Sequence, residues 1–367
     1  MWNKIKQWLD VRYGLNAIIE TQIRAQILDY RIPKNINIFY TLGFLTVIAF
    51  CVQALTGILL LLYYIPHPDH AFSSVQDIMT KVPYGWLFRE MHTVGSNLLI
   101  TIVLLHMVTV FLMGNYKRPR ELTWLVGGLA LIVTMIFGYS GHLLPWTQLS
   151  YWSTTVVTSM PTAFPVVGDT IAHILRGGDH ITGTTLSRFF ELHIAILPLT
   201  FLLLMGIHLF LIYRTGISAT PFGKLDAEER PLTEYTRKLY PDGYPYYPTF
   251  FQKQMYMMMA YFAVMFFIIT FLPALFFPPE ANIAADPFKT PHEIRPAWYL
   301  LAQYELLKLI PNKFLGIMLQ MILAALFLFW PFLDTQQEKN LMKRPILRGV
   351  FVFVLAAWVV LLFWGRS

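Results

Sequence analysis

The chain has 367 residues, of which 56% are apolar, 16% aromatic and only 13% charged. Soluble globular proteins carry about 25% charged residues, so this composition excludes a soluble enzyme, a disordered chain and a collagen-like chain. The single cysteine, Cys51, excludes a disulfide framework, a four-thiolate iron–sulfur cluster and a C-x-x-C-H attachment motif. In so apolar a chain the net charge of +7 indicates orientation in a membrane, and we expect no nucleic acid as a partner.

The first segment, 1–36, mixes bulky apolar residues such as Trp2 and Trp8 with basic residues such as Lys4 and Arg12. This mixture is typical of an amphipathic helix that lies in the membrane interface. A signal peptide is the alternative, but no small-residue cleavage site follows a short apolar core. We therefore expect the segment to be retained.

Seven stretches are long and apolar enough to cross a bilayer, whose core of about 30 Å needs about 20 helical residues. They do not alternate with period two, which excludes a closed barrel. The sequence therefore predicts an all-α membrane protein with crossings at 37–64, 91–116, 122–144, 192–213, 254–277, 314–333 and 349–364.

The two sides of this arrangement differ in their basic residues. The side that holds the N-terminus carries 19 Lys and Arg, and the opposite side carries 9. By the positive-inside rule, we expect the N-terminus to be cytoplasmic and the C-terminus to lie outside.

A long connection rich in proline and tyrosine, 214–253, divides the chain on the cytoplasmic side. It separates a predicted four-helix domain, 37–213, from a predicted three-helix domain, 254–367. Two outer loops, 147–187 and 278–312, are also long. Long loops in compact proteins usually serve function, so we expect a site on the outer face.

Four of the ten histidines lie within predicted crossings. His92 and His106 are 14 residues apart on the second helix, and His193 and His208 are 15 apart on the fourth. At about 100° and 1.5 Å per residue, each pair returns to within about 40–60° of one face and spans about 21–22 Å. Because both helices start at the outer face, we predict that His92 pairs with His193 near the outer surface. His106 then pairs with His208 near the inner surface.

A polar side chain inside lipid is costly and indicates a functional site. The alternative is that these are buried histidines bonded to neighbouring carbonyls, but packing alone hardly produces two matched levels. Zinc would require three or four ligands, whereas only two imidazoles converge at each level. Haem iron accepts two axial imidazoles and has its own equatorial ligands. We therefore predict two non-covalent, bis-histidine b-type haems stacked across the bilayer.

Glycines repeat with the same period of 14 residues: Gly43 and Gly57 on the first helix, Gly127 and Gly141 on the third. Glycine lets a flat group approach the backbone closely, so we expect these four positions to face the haem planes. Packing of small residues between helices is the alternative.

Two arginines lie at the outer helix ends, Arg89 three residues before His92 and Arg188 five before His193. They are placed to pair with the propionates of the outer haem. Arginines that snorkel to the interface are the alternative explanation.

Several motifs follow one another in the order of a known family. They are Asn37-Ile38-Phe39-Tyr40, Ala71-Phe72-Ser73-Ser74-Val75-Gln76, Lys117-Arg118-Pro119-Arg120, Thr185-Leu186-Ser187-Arg188-Phe189, Ala285-Asp286-Pro287-Phe288, Pro296-Ala297-Trp298-Tyr299 and Ile310-Pro311-Asn312-Lys313. With them, about 35–364 resembles the cytochrome b family of quinol–cytochrome c oxidoreductases. The first half is most similar to the chloroplast-type cytochrome b, and the second half resembles the separate subunit IV of that complex.

The resemblance implies a bifurcated reaction. Quinol is oxidised at an outer pocket, one electron passes to a Rieske iron–sulfur protein, and the other crosses both haems to quinone at an inner pocket, coupled to proton translocation. The implied partners are the Rieske protein, a c-type cytochrome subunit, quinone, the lipid bilayer and a second copy in a homodimer. The implied location is a bacterial cytoplasmic membrane. Pro296, Trp298 and Tyr299 match the family's outer-pocket motif.

One departure from the family lies in that motif. The family usually has a glutamate after the proline, where Ala297 cannot titrate. His142, at the outer end of the third helix, is our candidate proton acceptor because of the intrinsic pKa of imidazole. A surface-facing His142 and a role for Glu305 are the alternatives. Loss of the glutamate also resembles variants that use low-potential quinones, so menaquinone is the expected substrate.

Two further departures concern the inner side. Thr41 stands where the chloroplast-type chain has the cysteine of an extra haem, so we expect two haems only. Tyr213 and Gln254 occupy positions where mitochondrial relatives have a histidine and an aspartate. Arg214 and Lys253 are cations that orient the quinone or simply follow the positive-inside rule.

Two other classes of protein share part of this pattern. A diheme membrane anchor needs the four-helix half only, and a transporter shows repeat symmetry and broken helices. The three additional helices and the loop at 296–299 argue against the anchor, and the paired geometry of the histidines argues against the transporter.

Overall fold

The computed structural model describes residues 2–20, 28, 30–222, 240, 243–292 and 294–365. Within this part of the chain, seven helices are long and apolar enough to span a membrane, which confirms the predicted all-α membrane architecture. Parts of the predicted N-terminal segment and of the predicted linker, 214–253, lie outside the described residues.

The α-helices follow one another as α1 Trp2–Tyr13, α2 Leu15–Ile18, α3 Leu42–Leu61, α4 Ala71–Thr80, α5 Gly85–Leu112, α6 Glu121–Leu143, α7 Gln148–Ser159, α8 Gly168–Arg176, α9 Gly183–Glu191, α10 Leu197–Thr215, α11 Phe251–Phe271, α12 Leu301–Leu309, α13 Lys313–Leu333 and α14 Pro345–Trp364. Two short strands, β1 Arg31–Ile32 and β2 Tyr244–Pro245, pair antiparallel.

Several spanning helices differ in length from the predicted crossings. The second begins at Gly85 and the fourth at Gly183, because helices continue past charged residues such as Arg89 that ended the apolar stretch. The fifth ends at Phe271, since Pro273 begins a 3₁₀ turn there and cannot continue the α-helical hydrogen bonds.

The core lies among the first three spanning helices and the fifth. α3 packs mainly on α5, α10 packs on α6, and α11 covers α5 and α3. Burial of apolar surface is the main force that holds these faces together. The central cluster consists of Leu42, Leu45, Ala49, Val52, Val94, Leu99, Ile102, Val103, Met107, Tyr116, Trp124, Leu131, Tyr261, Met265, Ile268 and Ile269.

The last two spanning helices are attached from outside this core. α13 packs on α6, and α14 packs mainly on the short helix α12. α14 has no buried residue, so its apolar surface is available to lipid or to other subunits.

Candidate functional site

The four histidines within the spanning helices lie in two groups. The ring centroids of His92 and His193 are 6.3 Å apart and their planes are inclined at 77°. His106 and His208 are close enough for a charge on one ring to act on the other. The fold thus brings together side chains from α5 and from the α9–α10 segment at each of two levels.

His193 lies in a single π-helical turn, Leu192–Ile196, that joins α9 to α10. Pro198 follows directly in the first turn of α10 and has no N–H to bond the carbonyl four residues before it. A π turn holds one residue more than an α turn. The π turn therefore takes up the one extra residue between His193 and His208. The 15-residue spacing then spans as many helical turns as the 14-residue spacing between His92 and His106.

Hydroxyl groups determine the tautomer of both outer imidazoles. Thr56 donates its hydroxyl hydrogen to a backbone carbonyl of its own helix at 2.7 Å and therefore accepts from Nδ1 of His92 at 2.9 Å. Ser140 donates to a carbonyl of α6 at 3.1 Å and accepts from Nδ1 of His193 at 3.0 Å. Because a hydroxyl has one hydrogen, Nδ1 of each ring is protonated and Nε2 has the free lone pair.

The inner ring of His208 has the same tautomer. Its Nδ1 donates to the backbone carbonyl of Thr123 at 3.0 Å, and a carbonyl only accepts. His208, like His92 and His193, therefore presents Nε2 in the form in which neutral imidazole binds metals.

The spacing of the outer pair would allow both rings to hold one metal ion. A metal–nitrogen bond of about 2 Å on each side and about 1.2 Å from nitrogen to ring centre give about 6.4 Å, against 6.3 Å between His92 and His193. Among the residues described, no three His, Cys, Asp or Glu side chains cluster to hold a metal ion. Two imidazoles alone suit a metal that has its own equatorial ligands, as haem iron has.

Each glycine of the 14-residue repeat lies against the Cε1 edge of one of these rings. Glycine thus leaves room for the imidazole rings, and the expectation that these positions face the haem planes stays a prediction. An added Cβ would lie 2.6 Å from Cε1 for Gly141 and His193, 3.0 Å for Gly127 and His208, 3.1 Å for Gly57 and His92, and 3.3 Å for Gly43 and His106.

The hydroxyl partners of the outer rings are absent from the sequence-based prediction, although the sequence carries a signal for them. Thr56 directly precedes Gly57, and Ser140 directly precedes Gly141. Both hydroxyl residues are buried, at 3% and 0% exposure. A hydroxyl next to a repeating glycine in an apolar helix thus indicates a ring-orienting group.

The loop at 296–299 packs between the outer ends of α5 and α6. Trp298 donates from Nε1 to Oδ1 of Asn97 on α5 at 2.8 Å. Tyr299 is 3% exposed, and an added Cβ at Gly138 would lie 2.6 Å from its hydroxyl. Gly138 therefore admits the tyrosine ring directly against α6.

Gln148, at the start of α7, attaches the preceding part of this loop to the bundle. Its backbone N–H donates to the carbonyl of Ile283 at 2.8 Å, and its Oε1 accepts from the backbone of Asp286 at 2.8 Å. Its side-chain amide also donates to the carbonyl of Lys289. These bonds attach residues 283–289 of the outer loop to α7.

His142 is half-buried at this end of the bundle. Its Nε2 is buried and has no hydrogen-bond partner among the described residues. Arg89 is close enough for its charge to act on both His142 and His92. The Arg89 guanidinium lies over the ring of Phe277 at 4.8 Å and donates to Thr93.

The other outer candidates are placed differently. Arg188 is exposed and donates to the carbonyl of Ile174. Glu305 is 5% exposed and forms an ion pair with Lys308 at 2.7 Å. It lines a cavity of 360 Å³ between α12 and the end of α14, and among the described residues neither Tyr299 nor His142 lines that cavity.

The inner candidates do not share one environment. Gln254 is 6% exposed and accepts from the hydroxyl of Tyr246 at 2.8 Å. Tyr213 and Arg214 are exposed on α10. Thr41 is fully buried, and its hydroxyl donates to a carbonyl one turn before it at 2.6 Å.

Two family models match the chain. The model described as Cytochrome b/b6/petB matches residues 27–216, and the model described as Cytochrome b(C-terminal)/b6/petD matches residues 284–367. The chain is similar to cytochrome b of Rhodospirillum rubrum, with 36% identity over 99% of this chain and 85% of that protein. It is 34% identical to cytochrome b of Rickettsia conorii, over 99% of this chain and 87% of the relative.

A solved structure titled Hyperthermophilic respiratory Complex III is similar throughout. Its TM-score is 0.88 at 38% identity, over 98% of this chain and 91% of that chain. The fold and these similarities define an integral-membrane subunit of an oxidoreductase. The chain belongs to the cytochrome b family, as the motifs predicted, and is the cytochrome b core subunit of a complex III-type quinol–cytochrome c oxidoreductase.

Proposed function

We propose that this chain is the diheme b subunit of its complex and carries a bifurcated reaction. It oxidises quinol at the outer pocket, passes one electron to a Rieske iron–sulfur protein and passes the other across the membrane to quinone at an inner site, coupled to proton translocation. The observation that carries this proposal is the pairing of imidazoles at two depths, with Nδ1 of three rings already bonded.

His92 and His193 are the proposed ligands of the outer haem iron, and His106 and His208 those of the inner one. When bound, the haems supply one-electron carriers at two depths of the membrane. The chain's own contribution is to hold the rings of His92, His193 and His208 in one tautomer, through Thr56, Ser140 and the backbone carbonyl of Thr123. These bonds would fix the orientation in which the three histidines hold the haem irons.

At the outer pocket, Pro296, Trp298 and Tyr299 are the proposed quinol-binding residues. His142 is the proposed proton acceptor, because its buried Nε2 has no hydrogen-bond partner within the described part of the chain and Ala297 cannot titrate. Glu305 is less suitable, since Lys308 already occupies its carboxylate. Menaquinone remains the quinone that we propose.

Further proposals follow from the resemblance and the charge distribution. The outer haem propionates pair with Arg89 and Arg188, and the inner quinone contacts Tyr213, Arg214 and Gln254. The partners are a Rieske protein, a c-type cytochrome subunit and a second copy of the chain. The N-terminus is cytoplasmic and the C-terminus lies outside a bacterial cytoplasmic membrane, with domains at 1–36, 37–213, 214–253 and 254–367.

A reduced-minus-oxidised spectrum of the purified complex tests the haem assignment. We expect two b-type signals with distinct midpoint potentials, of which His193→Leu removes the outer one and His106→Leu the inner one. Colourless material after ample haem supply, or two intact signals in both variants, would contradict the proposal. Copurification of a Rieske subunit separates the bifurcating complex from a simple diheme anchor.

The glycine contacts give a graded version of the same test. In Gly141→Ala the new Cβ must displace His193, so we expect loss or strong weakening of the outer b signal. In Gly43→Ala the contact with His106 is 3.3 Å, and a shift of a few tenths of an ångström relieves it. The inner signal should then persist with a changed midpoint potential. Equal effects of the two variants would contradict the expectation that the closer contact, at Gly141, does more damage.

A further inference from the structure

Gln53 on α3 bonds the backbone of the turn that carries His92, a contact that the proposed function does not use. Its side-chain amide donates to the carbonyl of His92 at 2.8 Å and accepts from the N–H of Ser96 at 3.1 Å. An amide has both a donor and an acceptor, and these two partners determine its orientation. The carbonyl and the N–H are four residues apart, so they close one turn of α5. One side chain of α3 therefore holds both ends of the backbone turn that begins at His92.

Gly95 provides the space that this amide needs on α5. An added Cβ at Gly95 would overlap the side-chain amide of Gln53 and would lie 3.6 Å from the hydroxyl of Tyr261. Tyr261 on α11 is 4% exposed. The amide thus lies where α3, α5 and α11 meet. Because an amide without partners is costly in such a place, Gln53 holds α5 in one position relative to α3.

Two further contacts of His92 come from the same face of α3. Thr56 accepts from Nδ1 of the ring at 2.9 Å, and Gly57 lies against its Cε1 edge. Residues 53, 56 and 57 are three and four positions apart, a spacing that places them on one face of a helix. α3 thus contacts the backbone, the protonated nitrogen and the ring edge of His92 from one side.

The 14-residue repeat brings different side chains to the inner level. It places Phe39 fourteen residues before Gln53, and Leu42 fourteen residues before Thr56. Neither side chain carries a hydrogen-bond donor or acceptor. Of the three positions, only the glycine recurs, as Gly43. The amide contact therefore belongs to the outer level, and the inner level serves as an internal reference.

We propose that Gln53 is a positioning residue for His92 and thereby helps to set the reduction potential of the outer haem. By fixing the backbone of the His92 turn against α3, it keeps Nδ1 of the ring within hydrogen-bond distance of Thr56. This inference rests on the proposed ligation of the outer haem iron by His92. It adds a residue that acts on the ligand from a neighbouring helix.

The direction of the effect follows from the bond at Nδ1. A hydrogen bond donated from Nδ1 makes the opposite nitrogen of an imidazole a stronger donor to a metal. A stronger donor stabilises the oxidised iron more than the reduced iron, and hydrogen bonds around the ligands are one of the means by which proteins adjust haem potentials. Gln53 therefore lowers the midpoint potential of the outer haem, and its loss should raise it.

Gln53→Met tests the inference, because methionine has a similar length but no N–H donor and only a weak acceptor. The carbonyl of His92 and the N–H of Ser96 still bond each other along α5, so the helix should persist. The midpoint potentials of both b-type signals are measured by redox titration of the purified complex. We expect the oxidised outer haem to lose about tenfold in relative stability, a rise of about 59 mV for one electron. The inner midpoint should keep its wild-type value.

A pair of variants shows whether Gln53 acts through the bond at Nδ1. Thr56→Val removes the acceptor of that bond and should also raise the outer midpoint potential. Since both residues act on one bond, Gln53→Met should then add little to the shift that Thr56→Val causes. Full additivity of the two shifts would overturn the inference, because Gln53 would then act by another route.

Gly95→Ala displaces the amide while Gln53 itself is unchanged, so it should raise the outer midpoint potential as well. It decides the question if Gln53→Met fails to assemble. Cys51→Ser is the matched control, since it changes an exposed side chain on the same helix and should leave both midpoints unchanged. A wild-type outer midpoint in both Gln53→Met and Gly95→Ala would overturn the inference. Equal shifts of both haems would overturn it too, because they indicate a general loosening of the bundle.

The outcome also separates this inference from the proposed function. A wild-type complex without b-type signals refutes the haem ligation itself. Two normal b-type signals in the wild type, with midpoints unchanged in Gln53→Met and Gly95→Ala, refute only the positioning role of Gln53.

Discussion

Two buried polar groups at opposite ends of the helix bundle, Asp334 and His142, differ in how they are partnered. At the inner end, Asp334 after α13 is 2% exposed and receives Arg344 at 2.6 Å and Lys117 at 2.8 Å, with Tyr116 donating a further hydrogen bond. At the outer end, Nε2 of His142 is buried and has no hydrogen-bond partner among the described residues. The Asp334 cluster is thus satisfied within the chain, whereas the proposed proton acceptor is left available to a ligand.

The inner cluster joins the two parts of the molecule that the family models match separately. Lys117 follows α5 in the first part, while Asp334 and Arg344 flank the connection from α13 to α14 in the second. Burial would raise the pKa of Asp334, but hydrogen bonds from its three donors lower it to about 2. The carboxylate is therefore charged at neutral pH, as its two cationic partners require.

The largest effect is expected where a paired charge is removed. Asp334→Asn leaves Lys117 and Arg344 buried without a counter-charge, and breaking such a buried pair costs about 3–5 kcal/mol. We expect a large drop in the unfolding temperature of the purified complex, or failure of the chain to accumulate. Turnover per folded complex should remain close to the wild-type value.

Glu338→Gln is the matched control, because it neutralises an exposed carboxylate that pairs with Lys343 at 3.5 Å. Surface ion pairs contribute little, so this variant should unfold at the wild-type temperature. Equal unfolding temperatures for the two variants would show that the inner cluster does not stabilise the fold.

A smaller and opposite effect is expected at the outer end. His142→Phe removes a buried atom that has no partner, so stability should stay the same or rise slightly. Quinol oxidation should fall about tenfold or more if Nε2 accepts a proton there. His173→Phe, on the exposed face of α8, is the control. Unchanged turnover and pH profile in His142→Phe would reject the role.

The smallest effect is a pH dependence confined to the inner cluster. The pKa of Asp334 is lowered from 3.8 to about 2 by folding, so its stabilisation is complete above about pH 4 and is lost as pH falls toward about 2. The difference in unfolding temperature between wild type and Asp334→Asn should therefore be constant from pH 7 to about 5 and shrink below about pH 4. A difference that does not change with acid would contradict the charge argument.

The spacing of the histidines shows which features of the site can be predicted from the sequence and which cannot. The period of the helix was enough to predict which rings share a level. On an ideal α-helix the spacings of 14 and 15 residues differ by one residue, or about 100° of rotation, and the π turn that takes up this residue depends on how Pro198 is accommodated. The partners of the rings, Thr56 and Ser140, are on other helices and follow from packing.

The choice between His142 and Glu305 shows the same limit. Both are candidates from the sequence. Lys308 pairs with Glu305 three residues before it, a spacing that is visible in the sequence, whereas Nε2 of His142 is buried and has no partner among the described residues. The burial of His142 depends on neighbours that are distant in sequence, so composition and spacing do not reveal it.

By itself, the sequence determined the seven crossings, the all-α class and the family, since apolar length, charge and local motifs are written along the chain. The tertiary structure decided the glycine contacts, the tautomers and which buried groups are paired at each end. Those features depend on contacts between helices, where a few tenths of an ångström and one hydrogen-bond donor determine the chemistry of a side chain.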